Sequence, residues 1–403
     1  MSKIDDLIQE LCPDGVEYKP LKDLCSKIIV PMRDRPKVFD GPIPWCRIED
    51  MEGHYFHKSL SGLGVSQKVI EEMNLKVFPT GTVICSCSAS IGSYAINTQP
   101  LITNQTFIGL VCSGQILNTF LRYYMETQTA RLLTLATTGT IPYISRKKFE
   151  QLIVPVPPMA VQQEIVRVLD SFAELEAELE AELERRKAQY AYYRDKLLTS
   201  PLNLKLIKLG DICDLSNGDR GKSYPKQSEI LEAGVPFVNA GDLINGKVNV
   251  LDCKKISKSK YDSMGGAKLK KGDILYCLRG STGKNAIFTC DEGTVASSLV
   301  SIRPHEGFSN RYIFYLLNSS MELVQRNAKD TGAAQPNLSA ASVKEYVFPV
   351  PPFEEQQRIV DILDKFDALV NDISQGLPAE IEARRKQYEY YRDKLLTFKK
   401  KEN

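Results

Sequence analysis

Few residues in this chain have both the type and the spacing to do chemistry. Gly218-Asp219-Arg220-Gly221-Lys222-Ser223 carries the Gly, Lys and Ser of a loop that cradles phosphate on backbone N–H groups. That motif needs Gly at position 216, which is Ser, and no clear strand leads into it. Gly280-Ser281-Thr282-Gly283-Lys284 is too short for the same task and reads as a tight turn with a basic residue. His54 and His57 with Cys85 and Cys87 are nitrogen and sulfur donors that could hold zinc, but Cys-x-Cys is a poor spacing and the second half of the chain lacks counterparts. There is no Ser/His/Asp or Cys/His constellation, and no carboxylate pair in a convincing context. We therefore expect a chain without catalysis, without a metal site and without a cofactor of its own.

Val350-Pro351-Pro352-Phe353 carries the two prolines of the Asp/Asn-Pro-Pro-Tyr/Phe motif with which adenine methyltransferases hold a target amino group. Val stands where the holding side chain would be, and no glycine-rich cofactor loop precedes it. A helix start is the better reading, since Pro lacks only an N–H that the first helical turn does not use. The same start occurs earlier: Pro155-Val156-Pro157-Pro158 returns as Pro349-Val350-Pro351-Pro352. Gln162-Gln163 returns as Gln356-Gln357, Leu169-Asp170 as Leu363-Asp364 and Phe172 as Phe366. QYAYYRDKLLT at 189–199 returns as QYEYYRDKLLT at 387–397.

The elements that position these residues are two rods. Ile165, Val168, Phe172, Leu175, Leu179 and Leu183 recur at spacings of three and four, the seam of a coiled coil. The spacing predicts a helix over 157–199, roughly 60 Å long at about 1.5 Å per residue. Arg194 and Lys196 suit its C-terminal dipole, and Pro201 ends it. The offset between copies is 194 residues at Pro157 and Pro351 but 198 at Gln189 and Gln387. The second copy has thus gained four residues, around 373–382, where Gly376 and Pro378 predict a break or kink.

The 403 residues are 43% hydrophobic, enough for two to four domains with real cores. No run of 18 apolar residues occurs, so no membrane span is expected. The N-terminus lacks a signal-peptide pattern, and the ten Cys include no Cys-x-x-Cys pair. Reduced, mostly buried thiols in the cytoplasm are the expectation. Net charge is only +2, yet the charge is segregated. Residues 173–184 read AELE three times, six Glu in twelve residues, while basic clusters such as Arg33/Arg35/Lys37, Arg220/Lys222/Lys226 and Lys254/Lys255/Lys258/Lys260 lie elsewhere. Basic globules on an acidic rod fit nucleic-acid binding. Solvated loops would explain any single cluster.

The duplication reaches into the globules. Leu21-Lys22-Asp23-Leu24-Cys25 parallels Leu209-Gly210-Asp211-Ile212-Cys213, and Ile43-Pro44-Trp45 parallels Val235-Pro236-Phe237. Asp50 parallels Asp242, Gly81-Thr82 parallels Gly272-Asp273, Ser90-Ile91-Gly92 parallels Ser281-Thr282-Gly283, and Thr138-Gly139 parallels Thr331-Gly332. Short β-type runs at 83–85, 107–112, 274–278 and 299–302, with one helix per half at 119–133 and 310–326, indicate α+β modules. The domains are read as 1–150 and 201–346 for the globules and 151–200 and 347–403 for the rods. Two such globules are compact only if the rods pair, and antiparallel pairing gives pseudo-twofold symmetry. Twofold-related modules suit B-DNA half-sites, which lie about 34 Å apart.

Two variable globules, each followed by a helix that begins Pro-x-Pro-Pro…Gln-Gln and ends Tyr-Tyr-Arg-Asp-Lys-Leu-Leu, resemble the specificity (S) subunit of a type I restriction–modification enzyme, over essentially the full length. The resemblance implies two tandem target-recognition domains, each reading one half of a split double-stranded DNA sequence. It implies that the helices form an antiparallel coiled coil that sets the separation and docks two modification (M) subunits. Those subunits bring S-adenosylmethionine, and restriction (R) subunits bring ATP and Mg for translocation and cleavage. The S subunit itself holds none of these. Phe172, Leu175, Leu179, Leu183, Tyr190 and Tyr193 with Phe366, Tyr388 and Tyr391 are then spacer and interface residues, because aromatics at helical spacing usually pack.

Segments that differ between the halves are where specificity is expected. Candidate base readers are Arg33, Arg35, Lys37, Arg47, Lys58, Arg220, Lys222, Lys226 and Asn239, since Arg suits guanine and Asn suits adenine. Lys255, Lys258, Arg279 and Lys284 are phosphate candidates. Two other classes stay open: a fused nuclease–methyltransferase, against which the missing motifs speak, and a scaffold that uses the coiled coil for assembly alone.

The AELE tetrapeptides have no match in the second copy. Four helical residues add about 6 Å and turn the helix end by roughly 40° beyond a full turn. One base pair turns DNA by roughly 34–36°. The hypothesis is a ruler in which one AELE unit changes the non-specific spacer by one base pair. A variant lacking residues 177–180 should therefore methylate a motif whose spacer is one base pair shorter. An unchanged spacer in its methylation map would refute the ruler.

Overall fold

The computed structural model describes residues 3–138, 140–199, 204–221, 223–329, 337–371 and 376–402. It divides into two compact units, Met1–Ala177 with Ala383–Asn403, and Glu178–Glu382. Each unit holds one globule and a piece of each repeated rod. The Thr138-Gly139 and Thr331-Gly332 parallel falls largely outside the described residues, as does Lys222.

Each unit is built on the same pair of sheets. In the first, a six-stranded sheet runs in the order Cys25–Ile29, Phe107–Cys112, Val83–Ser86, Tyr94–Asn97, Tyr55–Phe56, Met51–Glu52. In the second the order is Cys213–Asn217, Leu299–Pro304, Ile274–Cys277, Asn285–Ile287, Lys247–Val248, Leu243–Ile244. A three-stranded sheet accompanies each, centred on Ile43–Cys46 or Val235–Val238. Both faces of the central strands are buried, so they read as unbroken apolar runs. Ile274 and Tyr276 pack with the helices, while Leu275 and Cys277 fill the other face. That is the two-residue period of a pleated strand. The Ser-x-Gly turn after each central strand needs Gly92 and Gly283, whose φ values are +106° and +84°.

The single helix expected in each globule is two. Asn118–Thr127 is followed by Thr129–Leu135, and Asn310–Leu316 by Ser320–Lys329. Polar side chains near each break take helical carbonyls that further turns would need. Thr127 Oγ1 donates to the Tyr124 carbonyl at 2.7 Å. Asn318 Nδ2 donates to Phe314 at 2.7 Å and Ser319 Oγ to Leu316 at 2.6 Å, while the Asp195 carboxylate accepts the Ser320 N–H. The first rod is one helix, Met159–Thr199. The second is two, Phe353–Asn371 and Gly376–Leu395, with Gly376 at φ +74° and Pro378 inside the first turn of the second.

In both units the rod pieces run antiparallel. In the first unit, Phe172 stacks on Tyr391 at 5.5 Å and Glu176 pairs with Arg385 at 2.9 Å, so ascending numbers on one helix meet descending numbers on the other. Leu395 and Leu396 join Ile165 and Leu169 in one core. In the second unit, Tyr193 stacks on Phe366 at 6.2 Å, and Leu198 and Tyr190 share a core with Ile359, Leu363 and Val370. The near-identical QYxYYRDKLL ends therefore pack against equivalent places: Phe172 and Phe366 are repeat partners, and so are Tyr391 and Tyr193.

The repeated glutamine is the tie between rod and globule. Gln162 is wholly buried; its Oε1 accepts the Leu117 N–H at 2.8 Å and its Nε2 donates to Gln115 and Pro157. Gln356 does the same, accepting the Ser309 N–H at 2.9 Å and donating to Pro351. Leu117 and Ser309 are the residues that start the globules' helices. Its neighbour Gln357 is exposed and, among the described residues, pairs only with Asp361 along its own helix.

A polar junction lies beside the tie in the first unit. Arg122 is buried and bonded to Glu126; Tyr123 donates to Asp170 at 2.6 Å, and Tyr388 donates to Glu126 at 3.1 Å. His54 Nδ1 lies 3.6 Å from Glu126. Burial, with Arg122 adding to it and Asp170 opposing, holds the His54 pKa down at about 4. Burial also raises the Glu126 carboxyl, against the pull of Arg122 and Tyr388.

Two outcomes are expected. Gln356→Ala strands buried partners at about 1–3 kcal/mol each, so its unfolding midpoint should fall well below that of Gln357→Ala, which should stay near wild type. Equal midpoints would remove the tie. A His with a lowered folded pKa binds fewer protons folded than unfolded, so its contribution is present above about 6.5 and is lost as pH falls toward about 4. The raised Glu126 acts with the opposite sign above its ordinary value. Wild type should thus lose more stability than His54→Asn across that window in thermal melts, and parallel curves would contradict the assignment.

Candidate nucleic-acid interface

The described structure separates the sequence-derived candidates by what their side chains already do. Arg35 stacks its guanidinium on Trp45 at 5.1 Å and Phe39 at 5.6 Å. Arg47 bonds Glu49 at 2.8 Å and Ser61 at 3.2 Å, and its Nε is buried without a partner. Asn239 is half-buried, with its N–H on Asp242 and its amide on the Phe237 carbonyl, so it shapes a turn. The first globule has the same turn, with the Arg47 N–H on Asp50 at 2.7 Å. Lys255 gives its ammonium to the Leu251 and Cys253 carbonyls. Lys258 bridges Glu292 and Asp262 over the Tyr261 ring. Lys37, Lys58 and Lys226 are exposed. Lys284 is exposed and reaches the Ala240 carbonyl at 3.3 Å.

Arg33, Arg220 and Arg279 are different. Arg33 lines a cleft of about 430 Å³ with Ser88, Gln105, Thr106 and Tyr143. Arg220 lines a polar cleft of about 600 Å³ with Asp219, Lys268 and Arg303, and donates to the Ser297 carbonyl at 3.3 Å. Arg279 is exposed and holds Asn337 Oδ1 through Nε at 3.2 Å.

A backbone frame recurs in both units and carries Arg279 in the second. The Cys87 N–H donates to the Thr106 carbonyl at 2.8 Å, and the Leu278 N–H to the Ser298 carbonyl at 2.8 Å. The Ile144 N–H donates to the Cys87 carbonyl at 2.8 Å, and the Leu338 N–H to the Leu278 carbonyl at 2.8 Å. Ser88 forms an isolated antiparallel bridge with Tyr143, and Arg279 forms the matching bridge with Asn337. Ser88, Gln105, Tyr143, Ser297 and Asn337 were not among the sequence candidates. Three of them carried a positional signal: Ser88 lies two residues before the repeated Ser-x-Gly turn, and Tyr143 and Asn337 follow Pro142 and Pro336.

On the rods, Tyr190 is buried while Tyr192 and Tyr390 are 61% and 64% exposed. Leu179 is half-buried, Leu183 packs on the second unit's core, and Leu175 is 47% exposed. Among the possible zinc donors, Cys85 is fully buried with its thiol pushed well above its ordinary range by burial, and His57 bonds Thr98. Among the described residues, no helix is long and apolar enough to cross a membrane.

Comparison with known proteins places this geometry. A type I restriction modification DNA specificity domain matches twice, at residues 13–185 and 201–383. The specificity subunit of the Escherichia coli type I restriction enzyme EcoR124I/EcoR124II is 34% identical over 64% of this chain, which spans 66% of that relative. The specificity subunit of the E. coli type I enzyme EcoprrI is 30% identical over 83% of each chain. A solved chain from work on complex assembly and conformational transition of the type I R-M system shares the fold, with TM-score 0.66 at 16% identity over 96% of this chain and 98% of that one. The type I S subunit from M. genitalium does so with TM-score 0.51 at 16% identity, over 95% and 96%. Matched in both units by the same domain, the chain belongs to the type I restriction modification DNA specificity family, whose named members are the specificity subunits of type I systems.

Proposed function

We propose that this chain reads a split double-stranded DNA target for a type I restriction–modification complex, one half through each unit. The observation that carries this is the matched frame: the same sheet order and backbone bonds, with different side chains at the same positions. Fold and reading are thereby separated within one chain. On this reading, residues 1–150 and 201–346 are the recognition domains, and 151–200 with 347–403 form the spacer. Arg33 and Arg220 are the best-placed base readers of the original candidates, since each lines an open cleft. Arg35, Arg47 and Asn239 serve their own globules.

The chain performs no catalysis in this proposal. Two M subunits dock on the paired helices, where Tyr192 and Tyr390 offer repeated exposed aromatics. They supply S-adenosylmethionine and methylate adenine, and R subunits supply ATP- and Mg-dependent cleavage, all in the cytoplasm. The test is methylome sequencing of cells that carry this chain with its M subunit. A segment exchange replacing residues 19–150 should change one half of a split motif and leave the other half intact. A complex that assembles but marks no split motif would reject DNA reading in favour of a scaffold.

A further inference from the structure

We infer that, beside Arg33 and Arg220, bases are read from three matched positions in each unit: Ser88, Gln105 and Tyr143 in the first, Arg279, Ser297 and Asn337 in the second. This rests on the DNA-reading function proposed above and assigns it to particular side chains.

The two units are two solutions on one frame. Cys87 and Leu278 are the anchors, 3% and 0% exposed, and each makes the same two backbone bonds to its neighbours. Ile144 and Leu338, 1% and 4% exposed, close the frame from the other side. The buried members on both sides are apolar. The residues beside them in the chain are half-buried at Ser88 and exposed at Arg279, Tyr143 and Asn337, and they change chemistry: Ser88 against Arg279, and Tyr143 against Asn337. Next to the Thr106 and Ser298 carbonyls, Gln105 stands against Ser297. A rigid backbone with freely varied side chains is what sequence readout requires, since the side chain must meet a base edge at a fixed distance.

The chemistry at each position fits base edges. Asn337 holds the Arg279 guanidinium at Nε, and among the described residues its two outer amino groups have no other partner. An Arg held this way presents a fork, the shape that meets guanine O6 and N7. Arg279 is therefore reassigned from phosphate contact to base reading. Gln105 is exposed at the rim of the 430 Å³ cleft with Arg33, and its amide suits the N6 and N7 of adenine. Tyr143, 41% exposed, adds an apolar ring and one hydroxyl to the same cleft.

The experiment uses full-length S subunit assembled with its M subunits, and measures methylation of duplexes carrying every single-base change in the motif. Arg279→Lys keeps the charge and removes the fork. The expected result is a roughly 5- to 150-fold loss of discrimination at one guanine of one half-site, with the other half read as strictly as before. Gln105→Ala should do the reverse, relaxing one adenine in the opposite half. Uniform weakening with an unchanged motif would make Arg279 a phosphate contact and overturn the assignment, as would unchanged stringency in both variants. If Arg279→Lys methylates nothing, Gln105→Ala decides alone. A wild-type complex that marks no split motif sinks the DNA-reading proposal itself, which is a different failure.

Discussion

A buried glutamine fixes each globule to its rod, and much else follows from it. Gln162 and Gln356 sit in the first turn of a repeated helix and spend their amides on the backbone where the globule's own helix starts. A buried amide left without partners is expensive, so this contact has one geometry rather than a range. The prolines ahead of it are used for the same purpose, because the Pro157 and Pro351 carbonyls accept from the glutamine's Nε2. Globule and rod therefore meet at a set angle. A loose joint would instead let the outer surface of each globule change its register on the rod.

The antiparallel arrangement within each unit explains why the rods are so alike while the globules are not. Tyr388 belongs to the second rod but bonds Glu126 in the first unit, and Tyr190 belongs to the first rod but is buried in the second unit. Each rod must suit the neighbourhood of the other repeat's start. A change in one copy of QYxYYRDKLL would need an answering change near the other copy's Phe172 or Phe366. The globule's outward residues have no such obligation.

The sequence made the large features legible for physical reasons. A period of three and four in the 159–199 helix and two near-identical ends are visible without any contact map, and they implied duplication, helix pairing and the break near Gly376. Burial on both faces also left its trace, in central strands that are apolar almost throughout. The split of each globule helix was not legible, because Thr127 and Ser319 are ordinary helical residues until their hydroxyls find particular carbonyls. Nor was the exposure of Leu175, which occupies a seam position by spacing and yet lies 47% open.

The candidate site was legible in composition and illegible in detail, and the reason is general. Counting cations finds Arg35, Lys255 and Lys258 as readily as Arg33 and Arg220. The first three, however, have committed their charge to a tryptophan face, to loop carbonyls and to acidic neighbours. A committed cation must break those contacts before it can meet a phosphate or a base, and that cost is subtracted from whatever binding it gives. A net charge of only +2 makes the distinction sharper, because the chain carries little excess positive charge for binding DNA without selection. In such a chain, recognition has to come from a small number of well-held side chains. Arg279, fixed by Asn337 on a buried frame and open at its outer edge, has that character; the lysine clusters do not.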